Sequence, residues 1–301
     1  MNLFDIINGN LLGDACIQFD NYKYRKYFSY KITAIDKNFL EWLKVIFQQY
    51  DIKCWISIEN KISNTFALYF YINSCPYPEL LQFRNKWYKQ INGRTTKIIP
   101  KSLRISPIVL LHWYLGGGSL IRRKNDQNRL PTIVLATNCF SKRYIEFLIE
   151  KLRNLNLNFY PVAYKSGFTG KKCGYCLYSK VEDGMPFRFF KLIGLKCPKE
   201  IANCSTGRKG IYHEEKFFKD KWPNEEDWIK ILSNVNEIGP ILREKRLQLN
   251  LSQNQFGRKV GMRRENIRDV ELSKRYFRVE NFRKILNSLD LEPEFLLDKL
   301  N

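Results

Sequence analysis

Two segments of the chain carry apolar residues at helical spacing, and they lie roughly 100 residues apart. Each segment ends in a run of small residues that would stop a helix. The apolar positions are Leu3, Phe4, Ile7 and Leu11 in the first segment and Ile108, Leu111, Trp113 and Leu115 in the second. The pattern predicts two matching helices in a chain built from an internal repeat.

The same order of elements follows each of these helices: two strands, an amphipathic helix, two more strands and a final helix. In the first copy we predict strands within 18–33, a helix over 36–50, strands over 53–59 and 65–73, and a helix over 78–88. In the second copy we predict strands over 119–123 and 133–137, a helix over 141–155 opened by a Ser141 cap, strands over 159–165 and 175–178, and a helix over 185–194. The fold class is therefore α+β, with two pseudo-symmetric αββαββα domains in tandem.

The last part of the chain has a different pattern, in which short helices are separated by tight turns. Ser252 is placed to cap one helix, and Gly261 lies in the turn before the next, predicted over 263–272. These residues and their spacing resemble the helix-turn-helix of phage-repressor-like domains. An all-α DNA-binding domain is expected here, although a small helical bundle that docks onto the rest is the alternative.

Composition narrows the class of partner. Lys and Arg number 51 against 30 Asp and Glu, a net charge of +21 that is spread along the chain. Such an excess favours a polyanion, and nucleic acid more than a membrane surface, because no apolar run approaches the roughly 20 residues that span a bilayer. The first residues lack a signal-peptide pattern, so an intracellular protein is expected.

Cysteine and histidine add little candidate chemistry. Eight cysteines fit an intracellular chain with reduced, mostly buried thiols. Cys173 and Cys176 have zinc-like spacing, but no second Cys-x-x-Cys closes a tetrahedral site. With only two histidines, His112 and His213, hydrolysis would depend on carboxylates, lysines and a hard metal ion.

The two repeated helices resemble the LAGLIDADG motif of homing endonucleases and intron maturases. The motif segments are Ile7-Asn8-Gly9-Asn10-Leu11-Leu12-Gly13-Asp14-Ala15-Cys16-Ile17 and Leu110-Leu111-His112-Trp113-Tyr114-Leu115-Gly116-Gly117-Gly118-Ser119-Leu120. Supporting stretches are Lys86-Trp87-Tyr88, Lys97-Ile98-Ile99-Pro100 and Ala136-Thr137-Asn138-Cys139-Phe140-Ser141. Gly9 and Gly13 lie four residues apart on one helix face, so a second helix can approach closely, whereas His112 replaces the first glycine in copy two.

The resemblance implies a specific arrangement of catalytic groups. In this family the two motif helices end side by side at the DNA backbone, and an acidic residue from each, with the preceding carbonyl, holds divalent metal ions. Asp14 takes that position in copy one, with Gly13 and Gly116 as the carbonyl donors. Mg²⁺, or another cation such as Ca²⁺ or Mn²⁺, is the expected cofactor, and Lys97 and Lys196 are the expected basic residues.

Copy two departs from the family at its most important position, because Gly117 stands where the second acid is expected. Half of the carboxylate set is then missing, and little double-strand cleavage is expected. An engineered substitution, natural degeneration, and retention for binding or splicing are three explanations that the sequence leaves open. The leading hypothesis is thus a homing-type DNA endonuclease, and the alternative is a non-cleaving DNA-binding regulator or an intron RNA maturase.

The resemblance also implies that each four-stranded antiparallel sheet forms a saddle in the major groove, where alternate side chains meet base edges. The predicted DNA-binding residues are Gln18, Tyr22, Tyr24, Lys26, Arg122, Lys124, Arg129, Lys165 and Lys171 in the sheets and Gln253, Arg263, Arg264, Asn266 and Arg268 in the helix-turn-helix. We expect a monomer on a long asymmetric duplex site. The domain limits are predicted as 1–100, 101–205, a basic linker over 206–234, and 235–301.

Overall fold

The repeat predicted from the sequence forms two α+β units in a computed structural model, which describes residues 2–22, 25–34, 36–59, 69–123, 128–165, 172–205 and 217–300. In the first unit the elements are α1 (Leu3–Leu12), β1 (Cys16–Tyr22), β2 (Arg25–Ala34), α2 (Lys37–Gln48), β3 (Cys54–Glu59), β4 (Tyr69–Ser74) and α3 (Pro78–Trp87). In the second they are α4 (Pro107–Gly117), β7 (Gly118–Ile121), β8 (Thr132–Ala136), α5 (Lys142–Arg153), β9 (Phe159–Lys165), β10 (Lys172–Ser179) and α6 (Met185–Ile193). The expected αββαββα order is confirmed in both copies.

The two sheets have the same topology. Their antiparallel strands run in the orders β1-β2-β4-β3 and β7-β8-β10-β9. One hydrogen bond between neighbouring strands also occurs in both sheets. The Ser74 hydroxyl accepts from the backbone N–H of Tyr30, and the Ser179 hydroxyl accepts from that of Ile133. The pseudo-symmetry therefore extends to individual positions, which lets residues of the two sheets be compared one with another.

The helices that follow the first strand pairs begin differently. The Asp36 carboxylate caps α2 by accepting from the backbone N–H groups of Asn38 and Phe39, at 2.7 and 3.2 Å. Ser141 is the N-cap of α5, as predicted, but its side chain makes no cap hydrogen bond.

A β-hairpin and a bridging segment complete the first two units. The hairpin is formed by β5 (Tyr88–Ile91) and β6 (Arg94–Lys97), with Asn92 and Gly93 at φ 49° and 73° in its turn. After the second unit come a short 3-10 helix (Phe218–Lys221) and α7 (Glu225–Leu232). The Phe218 ring stacks on Phe39 with centroids 4.6 Å apart, and the backbone N–H of Ser205 donates to the Asp36 carboxylate, so this region returns to the first copy.

The C-terminal domain is all-helical, as expected. It comprises α8 (Ile238–Gln248), α9 (Gln253–Val260), α10 (Arg264–Glu271), α11 (Val279–Leu289) and α12 (Pro293–Leu300). Ser252 and Gln255 form a reciprocal capping box at the start of α9, and Gly261 ends that helix at φ 70°. This domain contacts copy two, since the Tyr276 hydroxyl lies 3.0 Å from the Asp183 carboxylate. Among the described helices, none has both the length and the apolar character needed to cross a membrane.

Candidate functional site

The C-terminal ends of α1 and α4 meet at a seam between the two copies. A Cβ atom added to Gly13 would lie 3.2 Å from the Gly116 Cα, and one added to Gly116 would lie 3.3 Å from the Asp14 backbone nitrogen. Gly117 also faces Gly13, whose Cα would be 3.7 Å from a Cβ at position 117. The small residues therefore permit backbone-to-backbone packing, which brings Asp14 and Gly117 to one place.

Asp14 is exposed at the end of α1 and has a basic neighbour. The Lys97 ammonium donates to the backbone oxygens of Ala15 and Gly13, at 2.8 and 3.4 Å. Burial lowers the pKa of Lys97 below its ordinary value, while the nearby Cys139, Cys16 and Asp14 act in the opposite direction. The lysine expected from the family resemblance thus lies beside the acidic residue of the seam.

The hairpin after α3 holds Lys97 in this position. Tyr88 pairs with Lys97 across β5 and β6, and the backbone N–H of Ile98 donates to the Trp87 carbonyl at 2.7 Å. The Tyr88 hydroxyl accepts from the backbone N–H of Ile17 in β1, and burial raises the pKa of this tyrosine to about 12. Lys97 is consequently fixed to both the helix end and the first sheet.

Copy two has a lysine at the corresponding helix end, but it is not the one that the sequence indicated. Lys196 forms an ion pair with Glu294 of α12 and is largely exposed. Lys221, from the 3-10 helix, donates to the backbone oxygens of Leu115 and Tyr114 near the end of α4, at 2.6 and 3.2 Å. We correct the prediction accordingly: Lys221 lies at the second helix end, and Lys196 joins copy two to the C-terminal domain.

The donor groups at the seam limit what metal they could hold. The Asp14 carboxylate and the backbone oxygens of Gly13 and Gly116 are hard oxygen donors, which suit Mg²⁺, Mn²⁺ or Ca²⁺. Gly117 adds no carboxylate, and the described part of the chain contains no cluster of three His, Cys, Asp or Glu side chains. The residues present fit one hard cation that also takes oxygens from water or a phosphate.

The first sheet presents polar side chains on the face away from the helices. Ile17, Tyr30, Ile32 and Ile72 are buried on the helix side, so strand alternation places Gln18 on the opposite face. Lys31 lies on that face too, with its ammonium 4.0 Å from the centre of the Tyr71 ring. Tyr24 falls outside the described residues, as do the side chains of Tyr22 and Lys26, and their predicted roles stay predictions.

The predicted base contacts of the second sheet need one correction. The Arg122 guanidinium donates to the Asp227 carboxylate and to the backbone oxygens of Asp220 and Trp222, at 2.6 to 2.8 Å. This residue therefore ties the segment around α7 to copy two, and its guanidinium is engaged within the protein. Arg129 is exposed. Lys124 and Lys171 lie outside the described residues, as does the side chain of Lys165.

The helix-turn-helix combines exposed arginines with a buried ion pair. Arg246 forms a two-pronged salt bridge with Glu271, at 2.6 and 2.9 Å, and Gln253 donates to the same carboxylate. Gln253 is thus partly committed to the interior. Arg263, Arg264 and Arg268 are exposed at and along α10, and Asn266, half-buried between them, accepts from Arg275.

Comparison with known proteins agrees with this architecture. The family model described as the LAGLIDADG DNA endonuclease family matches residues 4–184, and a helix-turn-helix model matches residues 242–296. An uncharacterised protein of Methanocaldococcus jannaschii is 30% identical over 158 residues, which cover 51% of this chain and 56% of that protein. The chain therefore matches just over half the length of this curated relative.

A solved homing endonuclease structure shares the fold at low sequence identity. The homing endonuclease I-WcaI bound to its DNA recognition sequence aligns with a TM-score of 0.50 at 19% identity, covering 63% of this chain and 79% of that chain. Mesophilic variants of the homing endonuclease I-DmoI align with a TM-score of 0.40 at 16% identity, covering 63% and 95% of the two chains.

The family model spans more than half of the chain, including both motif helices and both sheets. The resemblance inferred from the repeated motif is confirmed: the chain belongs to the LAGLIDADG DNA endonuclease family and carries a helix-turn-helix domain at its C-terminal end.

Proposed function

We propose that this protein binds a long asymmetric duplex DNA site as a monomer and retains a single, metal-dependent cleavage centre at Asp14. The observation that carries the proposal is the meeting of Asp14, Lys97 and Gly117 at one seam, with one carboxylate where the family arrangement uses two. Both copies are present in one chain, so a second subunit is not needed to complete the DNA-binding surface. The net charge of +21 favours a phosphate backbone as the partner.

Asp14 and Lys97 have distinct roles in this proposal. Asp14, with the backbone oxygens of Gly13 and Gly116, would hold a divalent cation, which supplies an activated water and charge stabilisation when bound. Lys97 places its ammonium next to the same helix end without a conformational search, because two backbone oxygens already orient it. Its positive charge is available to a phosphate oxygen of the strand that is cut.

Because Gly117 provides no carboxylate, we expect a different cleavage outcome for the second DNA strand. Lys221 binds the α4 carbonyls, so a basic group is present at that helix end, but no carboxylate accompanies it. We therefore expect the second strand to stay uncut, and the product on cognate DNA to be a nick at most. The same glycine favours the alternative function of a non-cleaving DNA-binding regulator or an intron RNA maturase.

Restoring the acid tests this proposal. A Cβ at Gly117 would lie 3.4 Å from the Ala136 Cβ, which is an ordinary contact, so the backbone leaves room for the first side-chain atom of Gly117→Asp. Bound sites would first be selected from a random duplex library in Ca²⁺, and strand cleavage would then be followed in Mg²⁺. We expect the parent protein to nick, Gly117→Asp to cut both strands, and Asp14→Asn to bind without cutting.

Three outcomes separate the candidates. Selective duplex binding without any cleavage, even by Gly117→Asp, would reject the nuclease and leave the regulator. Tighter binding to structured intron RNA than to duplex DNA at equal salt would support the maturase instead. Binding to neither nucleic acid would overturn the proposed function altogether.

A further inference from the structure

The two pseudo-symmetric sheets have chemically different outer faces. In the first sheet one transverse row across the face away from the helices runs Cys16, Lys31, Asn73 and Trp55. The row at the same positions of the second sheet runs Ser119, Val134, Tyr178 and Tyr160. Lysine and asparagine in one copy thus correspond to valine and tyrosine in the other.

In the next row, residues with a hydroxyl group in the first sheet correspond to residues without one in the second. This row runs Thr33, Tyr71 and Ser57 in the first sheet and Ala136, Cys176 and Val162 in the second. Among the described strand residues with described side chains, the outer face of the second sheet has no Lys, Arg, Asn or Gln. Instead, Ile121, Tyr160 and Tyr164 expose 38%, 43% and 42% of their surfaces there, so the face is apolar and aromatic.

These rows begin next to the candidate cleavage centre. Cys16 follows Ala15, whose backbone oxygen binds Lys97, and Ser119 follows Gly118 at the end of α4. Both faces therefore begin at the seam of α1 and α4, so a duplex that crosses the seam can contact both of them. Exposed Arg123, Arg129 and Lys180 provide positive charge around the second sheet.

On the basis of the proposed function, we infer that the second sheet reads its half of the DNA site through thymine methyl groups, whereas the first sheet reads base edges by hydrogen bonds. Lys and Asn side chains recognise guanine and adenine edges in the major groove, and small apolar side chains contact the 5-methyl group of thymine. Ala136 and Val162, which are half-buried, supply only the second kind of contact, whereas Val134 is buried. The half-site under copy two is consequently rich in thymine and tolerates more sequence change.

Substituting deoxyuridine for thymidine tests this inference, since it removes only the methyl group. Starting from a site selected from a random duplex library, each thymine would be replaced in turn and the dissociation constant measured. The half-site under copy one is identified as the one where Lys31→Met changes base selectivity. Each replacement that removes a methyl group in contact with the protein should weaken binding about fourfold. These losses should be confined to the half-site under copy two.

A reciprocal pair of variants provides the matched control. Val162→Ser gives the second sheet the residue of the first, and Ser57→Val makes the opposite change at the equivalent, half-buried position. In Val162→Ser, replacing thymidine by deoxyuridine should no longer weaken binding at one position of the half-site under copy two. Ser57→Val should leave the loss of affinity at every thymine of that half-site unchanged.

The outcomes distinguish this inference from the proposed function. Selective duplex binding with equal or absent uracil effects in the two half-sites would overturn the inference alone. A footprint that stops at the seam would also overturn the inference, because the second sheet would then make no contact with the duplex. Failure to bind any duplex selectively would overturn both.

Discussion

Gly9 of α1 lies against His112 of α4 so closely that a Cβ atom added to Gly9 would come within 2.7 Å of the His112 Cβ. The same atom would lie 2.5 Å from the Val109 backbone oxygen, and backbone cannot give way as a flexible side chain does. The close packing of the two helices therefore depends on Gly9, which leaves room for the histidine that replaces the second glycine.

Gly9→Ala should destabilise the protein by about 1–3 kcal/mol, because the added methyl group forces the motif helices apart. Chemical denaturation would measure the change. Gly117→Ala is the matched control, since its Cβ would make ordinary contacts at 3.4 Å or more, and its effect should be neutral or slightly stabilising. Equal losses in the two variants would contradict the close packing at Gly9.

His112 should make the stability of the protein depend on pH. Burial lowers its pKa to about 4, and the described residues give its Nε2 no hydrogen-bond partner. The unfolded chain binds the proton at an ordinary pKa near 6.5, so the folded state loses stability as pH falls from 6.5 towards 4. The full loss corresponds to about 3 kcal/mol.

His112→Phe isolates this contribution, because carboxylates that titrate near pH 4 remain in both proteins. The phenyl ring can still stack on Trp42, whose indole lies 5.8 Å from the imidazole. Urea denaturation at pH 7, 6 and 5 should show the parent losing stability faster than the variant. Parallel curves for the two proteins would show that His112 accepts a proton without penalty.

Arg122 should matter for stability more than for DNA affinity. Arg122→Met removes three hydrogen bonds and leaves the carboxylate of Asp227, which is only 4% exposed, without its ionic partner. We expect a loss of about 2–3 kcal/mol in the free energy of unfolding. The neighbouring Arg123 is exposed, and Arg123→Met should change stability by less than about 0.5 kcal/mol. A stable Arg122→Met protein with weakened DNA binding would instead support the base contact predicted from the sequence.

Lys221 should hold the end of α4 in place. Lys221→Met removes the ammonium from the Leu115 and Tyr114 carbonyls, and charged hydrogen bonds of this kind contribute about 1.5–3 kcal/mol. Thermal or urea unfolding would measure the loss. Lys219→Met, two residues away at an exposed position, is the control and should be nearly neutral. Similar stabilities for both variants would show that Lys221 does not stabilise the end of α4.

Arg264 tests the DNA contact of the helix-turn-helix. It is exposed at the start of α10, and Arg264→Ala should weaken duplex binding and reduce the slope of log affinity against log salt by about one if it contacts a phosphate. Arg243→Ala is the control, because it removes the same charge from a different helix, α8. An equal effect of the two variants would indicate a general charge contribution instead of a specific contact.

Local patterns explain what could be predicted from the sequence. The repeated motif helices, the strand pairs and the helix-turn-helix each depend on spacing within a few residues, and the structure places Lys97 beside Asp14 as the resemblance implied. The β5–β6 hairpin was missed, although Asn92-Gly93 is a strong hairpin signal.

Long-range contacts account for the features that could not be predicted from the sequence. Lys221 reaches Tyr114 across 107 residues, and Arg122 reaches Asp227 across 105, so no local spacing reveals either interaction. Lys196 stands shortly before a proline, as Lys97 does, but the folded chain directs it to Glu294. The outer faces of the sheets also required the strand register, which pairs residues that are distant in sequence.

The stack of Phe218 on Phe39 has a consequence for how this protein can evolve. A tandem repeat that arose by duplication can in principle be divided again into two half-proteins that associate as a dimer. Here a ring located after the second repeat completes the surface of the first, so a cut between the repeats would leave the amino-terminal fragment without that ring. The first repeat therefore depends on a residue that lies beyond the second, and the two repeats are not interchangeable half-proteins.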